Sequence, residues 1–141
     1  MRYQFFIFIT LFILVQFSAT AQRQERIQAF RAEVFTEELQ LTDTESSAFF
    51  PMYETYTEER RDLQQKHKQL QRQLLVISDE EASTKIEELF QLEEAEIDLK
   101  RRYFKQFLTV LPIRKVLRIP AAEREFKKEL LEKARDRRRR Q

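Results

Sequence analysis

The sequence predicts an all-α fold, an elongated four-helix protein built on a long antiparallel helical hairpin, on three observations. First, the 141 residues include no glycine and only three prolines, whereas turns and positive-φ positions usually call for glycine. Second, apolar residues recur at spacings of three, four and seven, the period of helices rather than strands. Third, Thr42 to Glu45 and Ser78 to Glu81 are S/T-x-x-E strings. Such a hydroxyl and carboxylate reciprocally satisfy backbone amides left over in a first helical turn, so each string marks a helix start.

The N-terminus reads as a leader. Met1-Arg2-Tyr3-Gln4 carries one positive side chain and precedes an apolar run from Phe5 to Phe17, shorter than the roughly 20 apolar residues of a spanning helix. Ala19 and Ala21 then supply an A-x-A pattern, so residues 1–21 are expected to be a signal peptide cleaved after Ala21. A soluble, exported chain without stable membrane insertion is the expected product. With no cysteine, its fold must rest on packing without disulfides. The formal net charge of +2 singles out no class of partner.

In the remainder, Ile27, Phe30, Val34 and Phe35 draw one stripe down a first helix, from Arg23 to about Gln40. A second helix is expected from Asp43 to about Ile77. Phe49, Tyr56, Leu63, Leu70 and Ile77 repeat there every seven residues, with Tyr53, Arg60, His67 and Leu74 interleaved, as in a heptad seam. Pro51 falls near its beginning, where a missing amide costs least. A third helix follows the Ser78 cap to about Leu108, with Ile86, Leu89, Phe90, Ile97, Phe104, Phe107 and Leu108 as its apolar face. The charges of these two helices are complementary when they run antiparallel. Lys66, Lys68 and Arg72 would face Glu87, Glu88, Glu93 and Glu94, while Glu54, Glu58 and Glu59 would face Lys100, Arg101, Arg102 and Lys105. Pro112 suits the start of a fourth helix carrying Val116, Leu117, Phe126, Leu130 and Leu131, which Pro120 is expected to kink or split. Residues 22–134 are thus expected to form a single helical domain. The basic residues 135–141 are expected to be a disordered tail, because like charges repel and bring no apolar group to a core.

Catalytic apparatus is hard to find in this sequence. His67 is the only histidine, and without cysteine it reads as a partly buried seam residue rather than a metal ligand. No serine or threonine has a histidine base at a recognisable spacing, and Glu93, Glu94 and Glu96 read as a solvated helix face. Phosphate-cradling loops need glycine. The expectation is a non-enzyme without cofactor or metal. The arginine-rich C-terminus lacks interleaved aromatic residues for base stacking, so nucleic acid is not an expected partner.

Leu41-Thr42-Asp43-Thr44-Glu45 resembles the LTxxQ motif of the Spy/CpxP family of periplasmic helical proteins, with Glu45 where the family usually has Gln. Leu111-Pro112-Ile113-Arg114-Lys115, about 70 residues on, stands at the place of the second copy, with Pro for Thr and Lys for Gln. Together with Phe50-Pro51-Met52-Tyr53 and the segment from Ala122 to Leu131, the pattern is similar to a Bacteroidetes-type variant often labelled sensor of ECF-type sigma factors. It covers essentially residues 23–134. The resemblance implies a family motif at Leu41, Thr42, Glu45, Leu111 and Lys115, and contacts between the motifs that join the ends of a long hairpin. Pro112 has no hydroxyl, so the second copy is expected to start a helix without a capping side chain. The resemblance further implies a cradle-like homodimer that holds unfolded or misfolded periplasmic proteins without ATP, or that acts as a regulatory partner of an envelope signalling protein. Arg60, Arg61, Lys66, Lys68, Arg72, Arg101, Arg102 and Lys105 are the candidate client-binding basic surface. An alternative expectation is a structural adaptor that pairs through its helical seam with a membrane or signalling protein.

Overall fold

The computed structural model describes residues 22–140, and the leader expected over residues 1–21 lies outside them. All regular secondary structure among the described residues is helical: α1 covers residues 22–39, α2 Asp43–Leu74, α3 Asp79–Phe107 and α4 Ile113–Arg139.

Both capping boxes form. The Glu45 amide donates to Thr42 Oγ1 at 3.2 Å while the Thr42 amide donates to Glu45 Oε2 at 2.8 Å. Ser78 and Glu81 repeat the exchange at 3.3 Å in both directions. At the third start Pro112 offers its carbonyl to the amides of Lys115 and Val116, at 2.9 and 3.2 Å, and has no amide of its own to leave unsatisfied. The end of α1 falls at Gln40, whose φ of 50° is left-handed and whose amide donates to the Glu37 carbonyl at 3.2 Å. Glycine usually fills such a position.

Two boundaries and one proline depart from expectation. Helix α2 stops at Leu74, three residues early, because Ser78 must reach the extended conformation (φ −66°, ψ 156°) from which it caps α3. Pro120 lies inside α4 without splitting it. It removes one backbone donor, and burial of its neighbours Ile119 and Ala122 holds the helix there. Helix α4 also continues through the expected disordered tail as far as Arg139. Arginine is a good helix former, and cations are favourable at a helix C-terminus, where the backbone dipole is negative.

The described residues group into two compact units. One unit combines α1 with the part of α4 from Ile119 onward. Val34, Phe35, Leu39, Ile119, Ala122 and Phe126 are its buried side chains. The Phe30 and Phe126 rings stand 5.7 Å apart, Arg31 lies over the Phe126 ring at 5.0 Å, and Lys133 Nζ lies 3.3 Å from the centre of Phe30.

The other unit, Leu41–Arg118, contains α2, α3 and the first turns of α4. Helices α2 and α3 meet along their lengths, with partners taken in opposite chain order. Phe49 meets Phe107 edge-on at 5.1 Å, Tyr56 meets Tyr103 at 5.3 Å, and His67 meets Glu96 at 3.4 Å. Phe49, Tyr53, Tyr56 and Leu70 of the expected heptad seam are buried. The expected apolar face of α3 needs correction. Its buried side chains are Leu99, Tyr103 and Phe107, whereas Ile86, Phe90, Ile97 and Leu108 are exposed. At about 100° per residue these are two stripes roughly a third of a turn apart, which a list of apolar positions had merged.

Candidate functional site

The two segments that carry the motif converge. Leu41 and Leu111, which precede the starts of α2 and α4, are both buried. Glu45, already bound to the Thr42 amide, also accepts from Lys115 Nζ at 2.6 Å. Both side chains are largely shielded from solvent, with 17% of Glu45 and 23% of Lys115 accessible. The Lys115 ammonium, the Thr42 amide and the Thr42 hydroxyl together hold the Glu45 carboxyl below the usual carboxylate range, against an opposing effect of desolvation. Glu45 and Lys115 are thus the two halves of one ion pair across 70 residues. Pro112 carries no capping hydroxyl, and Lys115 supplies the polar side-chain contact at this helix start.

The candidate basic surface divides. Lys66, Arg101, Arg102 and Lys105 line one open groove of about 930 Å³ between α2 and α3, where Glu59, Asp62 and Asp98 alternate with them and Leu63 and Leu99 form the floor. Arg60, Arg61, Lys68 and Arg72 are not part of it. Arg60 instead lies over the Tyr56 ring at 5.7 Å, and Arg72 Nε donates to the Lys68 carbonyl of its own helix at 3.2 Å. Inside the groove Arg101 pairs with Asp98 at 2.6 Å and Arg102 pairs with Glu59. Tyr103 donates its hydroxyl to the second oxygen of Glu59 at 2.5 Å. That hydrogen bond, followed by the Arg102 guanidinium, holds the Glu59 carboxyl low, while burial and the carboxylate together push the Tyr103 phenol up. The groove is therefore a mixed-charge surface over an apolar floor, not a purely basic one. Of its acids only Glu59 was legible, in the block opposite Lys100 to Lys105; Asp62, Asp98 and the Tyr103 contact were not read from the sequence.

His67 sits between α2 and α3, one-fifth exposed, with Nδ1 3.4 Å from Glu96 and Nε2 3.7 Å from Glu93. Its Nε2 is screened from solvent and has no hydrogen-bond partner among the described residues. The two carboxylates address opposite edges of the ring and do not converge on a common point, and no cluster of three or more such side chains among the described residues could hold a metal ion. No described helix is long and apolar enough to cross a membrane. No protein-family model, curated protein or solved structure matches the chain.

Proposed function

We propose that this chain is an exported envelope-stress binding protein of the Spy/CpxP type, acting in the periplasm as an ATP-independent holdase-like chaperone or as the regulatory partner of an envelope signalling protein. The observation that carries this reading is the meeting of Leu41-Thr42-Glu45 with Leu111 and Lys115 at the ends of α2 and α3, where paired motifs would close a long antiparallel hairpin. A second observation supports it. The groove offers cations and anions over Leu63 and Leu99, and Leu75 and Val76 stand more than four-fifths exposed at the turn between α2 and α3. Charged rims accelerate encounter with a polyampholyte chain, and apolar burial then holds it. Nothing in this mode of binding requires a nucleotide or a metal.

The test is suppression of light scattering by an unfolding client at stoichiometric amounts of the purified protein. Substitution of Lys66, Arg101 and Lys105 by Ser is expected to weaken suppression several-fold and to reduce its dependence on salt. If the wild-type protein fails to suppress aggregation, the chaperone role is lost. Recovery of one stoichiometric signalling protein in a pull-down would then favour the regulatory role.

A further inference from the structure

In the unit that α4 shares with α1, the exposed side of α4 segregates its charges. Phe126 is buried beside Phe30, Lys133 lies over the same ring and Leu130 is half-buried, so these positions mark the side turned to α1. At about 100° per residue, Arg124, Lys127, Lys128, Arg135, Arg138 and Arg139 fall within an arc of about 120° on the solvent side, with Leu131 among them. All six cations are exposed, and Leu131 is 60% exposed. The acids of the same stretch, Glu125, Glu129, Glu132 and Asp136, occupy a separate arc of about 60° on one flank. Among the described residues Lys128 alone of the six cations pairs with an acid, Glu125 at 2.6 Å. An exposed helix that neutralises itself sets opposite charges three or four residues apart all round. Here one side is left basic over roughly 22 Å at 1.5 Å per residue.

Such a stripe fits a plane rather than a pocket. Cations spread along a straight helix do not converge on one small anion. No aromatic residue follows Phe126 on which a nucleic-acid base could stack. A protein partner would be anchored by aromatic or clustered apolar side chains, and the stripe offers only Leu131. An anionic bilayer, by contrast, presents phosphates in a mobile array that needs no register. Arg124, Arg135, Arg138 and Arg139 carry planar guanidinium forks that match phosphate oxygens, and Leu131 is placed to enter the headgroup layer.

From this segregation we infer that the basic stripe of α4 is a peripheral docking surface for a membrane leaflet rich in anionic phospholipid. The negative surface potential attracts the six cations, and Leu131 settles at the headgroup boundary. The acidic flank and the side turned to α1 are directed away from the bilayer. The contact lies on the membrane and requires no spanning helix. It is also separate from the groove between α2 and α3, so it does not depend on whether the protein holds unfolded clients.

The test is co-sedimentation of the full chain, purified after export, with vesicles of about one-third phosphatidylglycerol in phosphatidylcholine. Binding is expected to these vesicles and not to phosphatidylcholine alone, and should fall steeply as salt rises from about 0.05 to about 0.5 M. The triple variant Arg124→Gln, Lys128→Gln, Arg135→Gln should bind about tenfold more weakly or worse. The triple variant Lys66→Gln, Arg101→Gln, Lys105→Gln removes the same charge from the groove and should bind within about twofold of the wild type. The chain has no tryptophan, so Leu131→Trp gives a single reporter whose emission should shift to the blue on the anionic vesicles only. Ile97→Trp, at a position 58% exposed on α3, should not shift. Equal binding to both vesicle types would overturn the inference, as would equal losses in the two triple variants or an unshifted Leu131→Trp. Capture of soluble polyglutamate without vesicle binding would also overturn it, in favour of an acidic protein partner.

Discussion

Glu45 shows how much one side chain is asked to do. A single carboxylate caps its own helix through Thr42 and pairs with Lys115 from another. Its carboxyl is held below its ordinary value of 4.5, first by the Lys115 hydrogen bond and next by the Thr42 amide. A carboxyl whose folded value is depressed contributes stability above its unfolded value and loses it as pH falls through the folded value. The contribution is therefore full at neutral pH and begins to be lost below about pH 4.5, the range of an unperturbed glutamate. In urea titrations from pH 7 to pH 3, Glu45→Gln should be less stable than the wild type at neutral pH, and the difference should narrow toward pH 3. A double-mutant cycle with Lys115→Gln is expected to give a coupling of about 1 kcal/mol at pH 7, above that of an exposed pair because both groups are shielded. Gln40 is the opposite case, a residue in a conformation that its side chain disfavours. Gln40→Gly should raise stability by about 0.5 to 1 kcal/mol, seen as a higher urea midpoint at unchanged slope.

At the level of the helix, starts were more legible than ends. Thr42, Ser78 and Pro112 announce their helices because capping is local chemistry, written within four residues. The ends of α2 and α4 were not, since Leu74 and Arg139 are decided by the competing demand of the next cap in one case and by dipole and propensity in the other. The two faces of α3 also escaped a reading by composition. Ile97 and Leu99 are equally apolar, and only their angular position separates an exposed stripe from a buried one. Phe107 belongs to the buried stripe, with Phe49, Tyr53, Tyr56, Tyr103 and Phe104 all within 6.1 Å of its ring centre. Phe107→Ala should cost about 3 to 5 kcal/mol in equilibrium unfolding, the range for emptying a closely packed aromatic site. A cost below about 1 kcal/mol would mean that the ring cluster is not the centre of this unit.

For the molecule as a whole, absences in the sequence proved informative about class. No glycine and no cysteine leave a chain of helices held by packing, and the described residues are helical throughout their regular structure. What absences could not convey was which distant residues meet. The block charges of α2 and α3 are complementary in opposite order, yet the individual partners, Glu59 with Tyr103 and Arg102, depend on side-chain reach that no periodicity encodes. For the candidate site, the motif positions were legible because each begins a helix. That Glu45 and Lys115 answer one another became evident only with the two in contact.

That contact also has a bearing on time. Lys115 can reach Glu45 only after the whole of α2 and α3 has been laid down between them, so the ion pair closes a 70-residue loop whose entropy must already be spent by other contacts. It should be absent from the folding transition state, which the aromatic cluster of α2 and α3 is better placed to organise. Removing it with Lys115→Gln should leave the refolding rate within about twofold of the wild type and place nearly all of the lost stability in faster unfolding, as read from the two arms of a chevron plot. The latch at the motif would then govern how long the folded protein lasts rather than how quickly it forms.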